Sequence, residues 1–117
     1  MEPETFHDKL KFKMDAYVRF VYKVTKKFPK EELYGVTSQL RRSALSVVLN
    51  YIEGYARGKN KGHKNFLEIS YGSLKESKYL LYFSFTQDYI LESEYQTSVQ
   101  LSEGIGAMLW GILRNME

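Results

Sequence analysis

Apolar and polar positions alternate with helical periodicity along nearly the whole chain. From Phe6 to Lys27, residues Leu10, Met14, Tyr17, Val18, Val21 and Val24 keep to one side. Lys11, Asp15, Arg19, Lys23 and Lys26 take the other, which predicts an amphipathic helix over 6–27 with a mostly basic outer face. Pro29 stops it, because proline disfavours helical backbone at the residue before it. Lys30 to Tyr34 leaves room for one more turn before Gly35.

The next stretch, predicted helical over 36–56, has a different pattern. Gln39, Arg42, Ser46, Asn50 and Glu53 fall on one narrow stripe at about 100° per residue, and nearly every other position is apolar. An arc that wide has to be covered on several sides. The stripe contains no Lys, and its short amides and hydroxyl suit hydrogen bonds to other helices or other subunits; a solvated face is the alternative. Arg41 sits within the apolar arc and needs a carboxylate from another helix or subunit. Glu76, on the flank of the third helix's apolar face, is the candidate partner for Arg41 or Arg42.

A third helix is predicted over 64–86, with Phe66, Ile69, Leu80 and Phe83 towards one face beside a seam of small residues, Ser70, Ser73 and Ser77. A fourth is predicted over 93–115, where Tyr95, Val99, Ser102, Ile105, Leu109, Ile112 and Met116 step in a near-heptad pattern. Gly104, Gly106 and Gly111 each cost that helix about 1 kcal/mol, so close packing within or between subunits is expected to compensate. The architecture that follows is all-α: an antiparallel, up-down-up-down four-helix bundle in one domain, 1–117. The excess apolar surface on the second and fourth helices predicts a homo-oligomer.

Composition narrows the function. With no Cys among 117 residues there is neither a disulfide framework nor a Cys-based zinc site. The absence of a long apolar run or an apolar N-terminal signal core predicts a cytoplasmic protein. The di-iron arrangement some bundles carry needs two Glu-x-x-His motifs, and only Glu4 to His7 matches. No triad or phosphate-binding glycine motif is present. The expectation is therefore no catalytic residues, no metal, no cofactor and no enzyme activity.

Charge points elsewhere. Net charge is only +3, but residues 1–30 hold eight Lys or Arg against four acids, while 91–117 hold one Arg against four Glu. Arg57 to Lys64, RGKNKGHK, contains no acid. Its glycines permit close backbone approach and its cations suit phosphate, so Arg57, Lys59, Lys61 and Lys64 are the candidate nucleic-acid contacts. Lys23, Lys26 and Lys27 support them if the first helix shares that face. A flexible, merely soluble loop is the alternative.

The blocks FPKEELYGVTSQLRRSALSVVLNYIEG and GxxxNFLxISYGSLKE closely resemble the four-helix-bundle proteins encoded by intervening sequences of bacterial 23S ribosomal RNA genes, which are similar in turn to the accessory variability proteins of diversity-generating retroelements. The resemblance covers residues 6–115, and Gln39 to Arg42, Ser46, Asn50, Glu53, Gly54 and Glu76 sit where that pattern has them. Tyr51 departs from it, as do the bulky residues before Asn50. The resemblance implies a homo-oligomeric ring, a pentamer, without catalytic activity, and a nucleic-acid partner, RNA before DNA. It also implies a protein partner such as a reverse transcriptase. A scaffold that binds a protein and never touches nucleic acid is the second reading.

Overall fold

The computed structural model of the chain describes residues 5–58 and 62–116. Among them all regular structure is helical: α1 (Phe6–Thr25), a 3-10 turn (Lys30–Glu32), α2 (Val36–Ala56), α3 (Gly62–Thr86) and α4 (Glu92–Arg114). Thr5 starts α1 by accepting the Asp8 N–H on its hydroxyl at 3.0 Å. Gly58, with φ +66°, follows the end of α2, the left-handed position that glycine fills without strain. Asp88 takes the same conformation after α3, at φ 62°. There the Tyr89 N–H reaches the Ser84 carbonyl at 2.8 Å and the Asp88 N–H the Phe85 carbonyl at 3.0 Å, closing the helix end.

Each helix packs against two others, α1 and α3 both contacting α2 and α4. Neither diagonal pair comes into backbone contact. Leu10, Met14, Tyr17 and Val21 of α1 meet Leu40, Ala44, Val47 and Tyr51 of α2 in the core, with Leu67, Leu74 and Leu81 from α3 and Ile105 and Leu109 from α4. His7 near the start of α1 contacts Tyr51 near the end of α2. At the other end, Arg41 of α2 contacts Thr25 of α1.

The buried face of α3 matches the expected one at Leu80, Ser70 and Ser77 and differs elsewhere. Leu67, Ser70, Leu74, Ser77, Leu80, Leu81 and Ser84 are buried, so Leu80 lies inside as expected, whereas Ile69 is 42% exposed and Phe66 and Phe83 are half-buried. The serines satisfy their hydroxyls locally or across the helix contact. Ser70 donates to the Val47 carbonyl of α2 at 2.6 Å and Ser84 to the Leu80 carbonyl at 2.7 Å. Small side chains there let α2 come close, and Gly54 is one such point: a Cβ on it would lie 3.3 Å from the His63 carbonyl oxygen and 3.3 Å from Phe66 Cβ.

Coverage of α2 is incomplete within the chain, since Leu49 and Ile52 remain 57% and 49% exposed. Of the three α4 glycines, Gly106 comes nearest another helix, with Leu74 Cδ2 3.4 Å from an added Cβ, an ordinary contact. An added Cβ at Gly104 has only the Lys13 ammonium at 3.9 Å, and at Gly111 nothing within 4 Å. Packing within the chain therefore requires glycine at none of the three.

Candidate nucleic-acid interface

The candidate basic residues fall at opposite ends of the molecule. Arg57 and Lys64 flank the α2–α3 connection, at the end where His7 begins α1. Lys23, Lys26 and Lys27 sit at the far end of α1, beside the start of α2. At about 1.5 Å per residue, α1 sets the two groups about 30 Å apart, so they do not form the single face on which Lys23, Lys26 and Lys27 were to support the loop. Lys59 and Lys61 lie outside the described residues.

Local pairing changes what each cation can do. Arg57 bonds Glu53 through Nε and a terminal nitrogen at 3.1 Å, and its guanidinium lies 5.0 Å from the Phe66 ring centroid. It braces the end of α2 against α3 and is half-committed before any ligand arrives. Lys27 donates to Glu94 of α4 at 2.6 Å. Burial pushes the Glu94 carboxyl up, but the Lys27 ammonium and the Leu91 backbone N–H more than offset it and hold the group below the usual carboxylate range. Lys23, Lys26 and Lys64 are exposed and make no ion pair with a described residue. Lys9 and Lys13, absent from the sequence-derived set, are exposed on the part of α1 between the two groups. Their spacing of four residues, one turn of helix, was the available signal.

Only the middle of the polar stripe engages another helix within the chain. Ser46 shares a 2.7 Å hydrogen bond with Ser73 of α3, and Asn50 Nδ2 donates to the Ser46 carbonyl at 2.9 Å and to its hydroxyl at 2.8 Å. Gln39, Arg42 and Glu53 are exposed. The expected Arg41 to Glu76 pair does not form within the chain. Position 41 faces α1, where Arg41 Nε donates to Thr25 Oγ1 at 2.8 Å and the guanidinium lies 4.8 Å from the Tyr22 ring centroid. Glu76 is exposed on α3. A cation-π contact and a hydroxyl thus do for Arg41 what a carboxylate was expected to do.

At the loop end, both histidines of the chain flank one tyrosine. The His7 ring centroid is 4.5 Å from that of Tyr55 and the His63 centroid is 4.6 Å from it, both edge-on. Tyr51, hydrogen-bonded through its hydroxyl to His7 Nδ1, packs 4.9 Å from Tyr55. Burial, with the neighbouring Tyr55, pushes the Tyr51 phenol up. Beside this column a cleft of about 660 Å³ opens between the start of α1 and the end of α4, lined by Phe6, His7, Tyr55, Met108, Gly111 and Arg114 among others. Tyr51, a departure from the expected pattern in sequence, is the residue that fixes His7 here.

Among the described residues no cluster of His, Cys, Asp or Glu could hold a metal ion, and no helix is long and apolar enough to cross a membrane. Residues 10–111 match the family model described as 23S rRNA-intervening sequence protein. No curated protein matches the chain. The solved structure of a protein of unknown function from the S23 ribosomal protein family of Bacteroides thetaiotaomicron superposes with a TM-score of 0.85 at 21% identity, over 94% of this chain and 99% of that one. At that identity the likeness concerns the fold.

Proposed function

The chain belongs to the 23S rRNA-intervening sequence protein family, and on that footing we propose that it is a non-enzymatic accessory protein that binds RNA through a basic surface and acts as a homo-oligomer. The observation that carries this reading is the charge of α1 and the turn after it: residues 6–30 hold eight Lys or Arg and two Asp, a net of +6 (8 − 2). Lys9, Lys13 and Lys23 are exposed along that helix and Lys26 directly after it. A strip of cations about 30 Å long matches the reach of several successive phosphates, whereas the loop from Arg57 to Lys64 contributes at one end of it.

The helices run alternately up and down in this reading, supported by the contacts of His7 with Tyr51, Thr25 with Arg41 and Ser46 with Ser73. Assembly into a ring, a homo-pentamer, would cover Leu49 and Ile52 and repeat the basic strip around the ring, turning weak single-subunit binding into avidity. The scaffold reading draws on a different surface, the exposed Tyr79, Tyr82 and Trp110 of α3 and α4, which suits a protein partner such as a reverse transcriptase.

The deciding experiment is anisotropy of a fluorescent structured RNA titrated at several salt concentrations, on protein whose oligomeric mass has been measured. The reading expects log affinity to fall linearly with log salt. Replacing Lys9, Lys13, Lys23 and Lys26 by Ala should reduce that slope by about 0.7–0.9 for each phosphate no longer neutralised. Negligible binding even at low salt overturns it in favour of the protein scaffold.

A further inference from the structure

We propose that the cleft between the start of α1 and the end of α4 is a binding site for one unpaired nucleotide of an RNA strand, a reading that rests on the RNA-binding function proposed above. Gly111 is the starting point. In the interior of α4 glycine costs about 1 kcal/mol relative to alanine, and no neighbour requires it, because an added Cβ would meet nothing within 4 Å. The missing side chain instead leaves open space in the cleft that Gly111 lines. Local rules broken without a packing reason are expected at functional sites.

The surroundings specify the occupant. Phe6, 47% exposed, meets the His7 ring edge-on at 5.7 Å, and Tyr55 stands behind His7, so one wall is aromatic. Met108 and Ile112 line the cleft from α4. Its polar lining includes Arg114 and Asn115, and among the described residues no Asp or Glu lines it. Unstacked RNA bases are taken on aromatic faces and read through their edges by amides, while arginine meets the phosphate. The volume, about 660 Å³, lies within the range of small-ligand sites. Position adds a further argument: Tyr55, which lines the cleft, also packs on His63 in the first turn of α3. A strand passing Arg57 and Lys64 at that end can therefore place one base in the cleft and its flanking phosphates on cations. An aromatic wall with Arg114 and Asn115 beside it matches a base and its phosphate together, which is why a nucleotide is favoured over a second copy of the chain.

Gly111→Leu tests this, because leucine fills the cleft while improving helix propensity. Affinity is measured by anisotropy for a labelled single-stranded oligoribonucleotide and for the blunt duplex of the same sequence, alongside melting temperature and oligomeric mass. The expected result is a single-strand affinity about tenfold weaker, with duplex affinity, oligomeric mass and melting temperature preserved or the last raised. Phe6→Ala should weaken single-strand binding in the same selective way, and 4-thiouridine in the strand should photo-crosslink to the peptide carrying Phe6 or Tyr55. If wild type binds RNA with the expected salt dependence and Gly111→Leu binds the single strand equally well, the cleft proposal is overturned and the RNA-binding function stands. A change of oligomeric mass with unchanged RNA affinity assigns the cleft to a subunit contact and likewise overturns it. No binding of either RNA form by wild type removes both proposals.

Discussion

Tyr17 of α1 and Ser77 of α3 share a 2.6 Å hydrogen bond across the core, joining two helices whose backbones do not touch. Both residues are fully buried. The Ser77 hydroxyl proton goes to the Leu74 carbonyl of its own helix at 2.8 Å, so Tyr17 is the donor and Ser77 the acceptor. One long phenol thereby ties the diagonal that apolar packing alone leaves to side-chain contact. The serine seam of α3 does more than allow close approach, since one of its members terminates this cross-core bond.

The bond is asymmetric, and so are the expected costs of breaking it. Tyr17→Phe leaves Ser77 bonded to Leu74 and loses one hydrogen bond, about 1 kcal/mol. Ser77→Ala leaves the Tyr17 hydroxyl buried with no acceptor and should cost more, about 1–3 kcal/mol. Urea denaturation of the two variants at neutral pH compares them. Equal losses would mean that water reaches the phenol and the bond is not isolated.

Alkaline stability follows from the same residue. Burial pushes the Tyr17 phenol from its ordinary value near 10 up to about 12. Because the folded value lies above the unfolded one, the folded chain keeps a proton that the unfolded chain has released. Stability is therefore complete below about pH 10 and declines between about 10 and 12, by about 2–3 kcal/mol for this group. Tyr51 and Tyr55 are shifted the same way, so Tyr17→Phe should flatten the alkaline decline without abolishing it. Urea midpoints at pH 8 and pH 11 give the slope, and an unchanged slope in the variant would locate the titration elsewhere.

Two glycines should respond oppositely to the same substitution. Gly111→Ala adds a Cβ in open space and should raise stability by about 1 kcal/mol through helix propensity. Gly54→Ala gains the same propensity, but its Cβ lies 3.3 Å from the backbone oxygen of His63. Backbone yields less readily than a side-chain tip, so a net loss of about 1 kcal/mol is expected. Melting temperatures moving in opposite directions would check the pair; a rise in both would show that α2 and α3 separate easily at this contact.

Much of the fold was legible because the strongest periodicities belong to buried faces. The α1 stripe of Leu10, Met14, Tyr17, Val21 and Val24 is buried as its spacing predicts, and each helix end lies within one turn of the expected bound. The α3 core was read only in part, for a physical reason. Three of its seven buried residues are serine, whose hydroxyls are satisfied by carbonyls and by Tyr17, so hydrophobicity alone misses them, and only the small-residue seam pointed to Ser70 and Ser77. The candidate interface was less legible still. Charge composition identified basic segments, but which segments share an end depends on how the helices pack, and that separates Lys23, Lys26 and Lys27 from Arg57 and Lys64. The cleft at Gly111 has no sequence signature beyond a glycine in a helix, the weakest kind of signal.

Adjacent arginines on α2 offer a last test of how the chain is covered. Arg41 holds Thr25 and lies over Tyr22, so Arg41→Ala should lose a hydrogen bond and a cation-π contact, about 1–2 kcal/mol. Arg42 is exposed in the chain, so Arg42→Ala should shift stability by no more than about 0.5 kcal/mol when measured on dilute, dissociated protein. The two can be compared by urea denaturation across a range of protein concentrations. If Arg42→Ala becomes costly only where the protein assembles, the polar stripe of α2 meets another subunit. If it is costly at every concentration, Arg42 has a partner inside the chain and the exposed placement of that stripe is wrong.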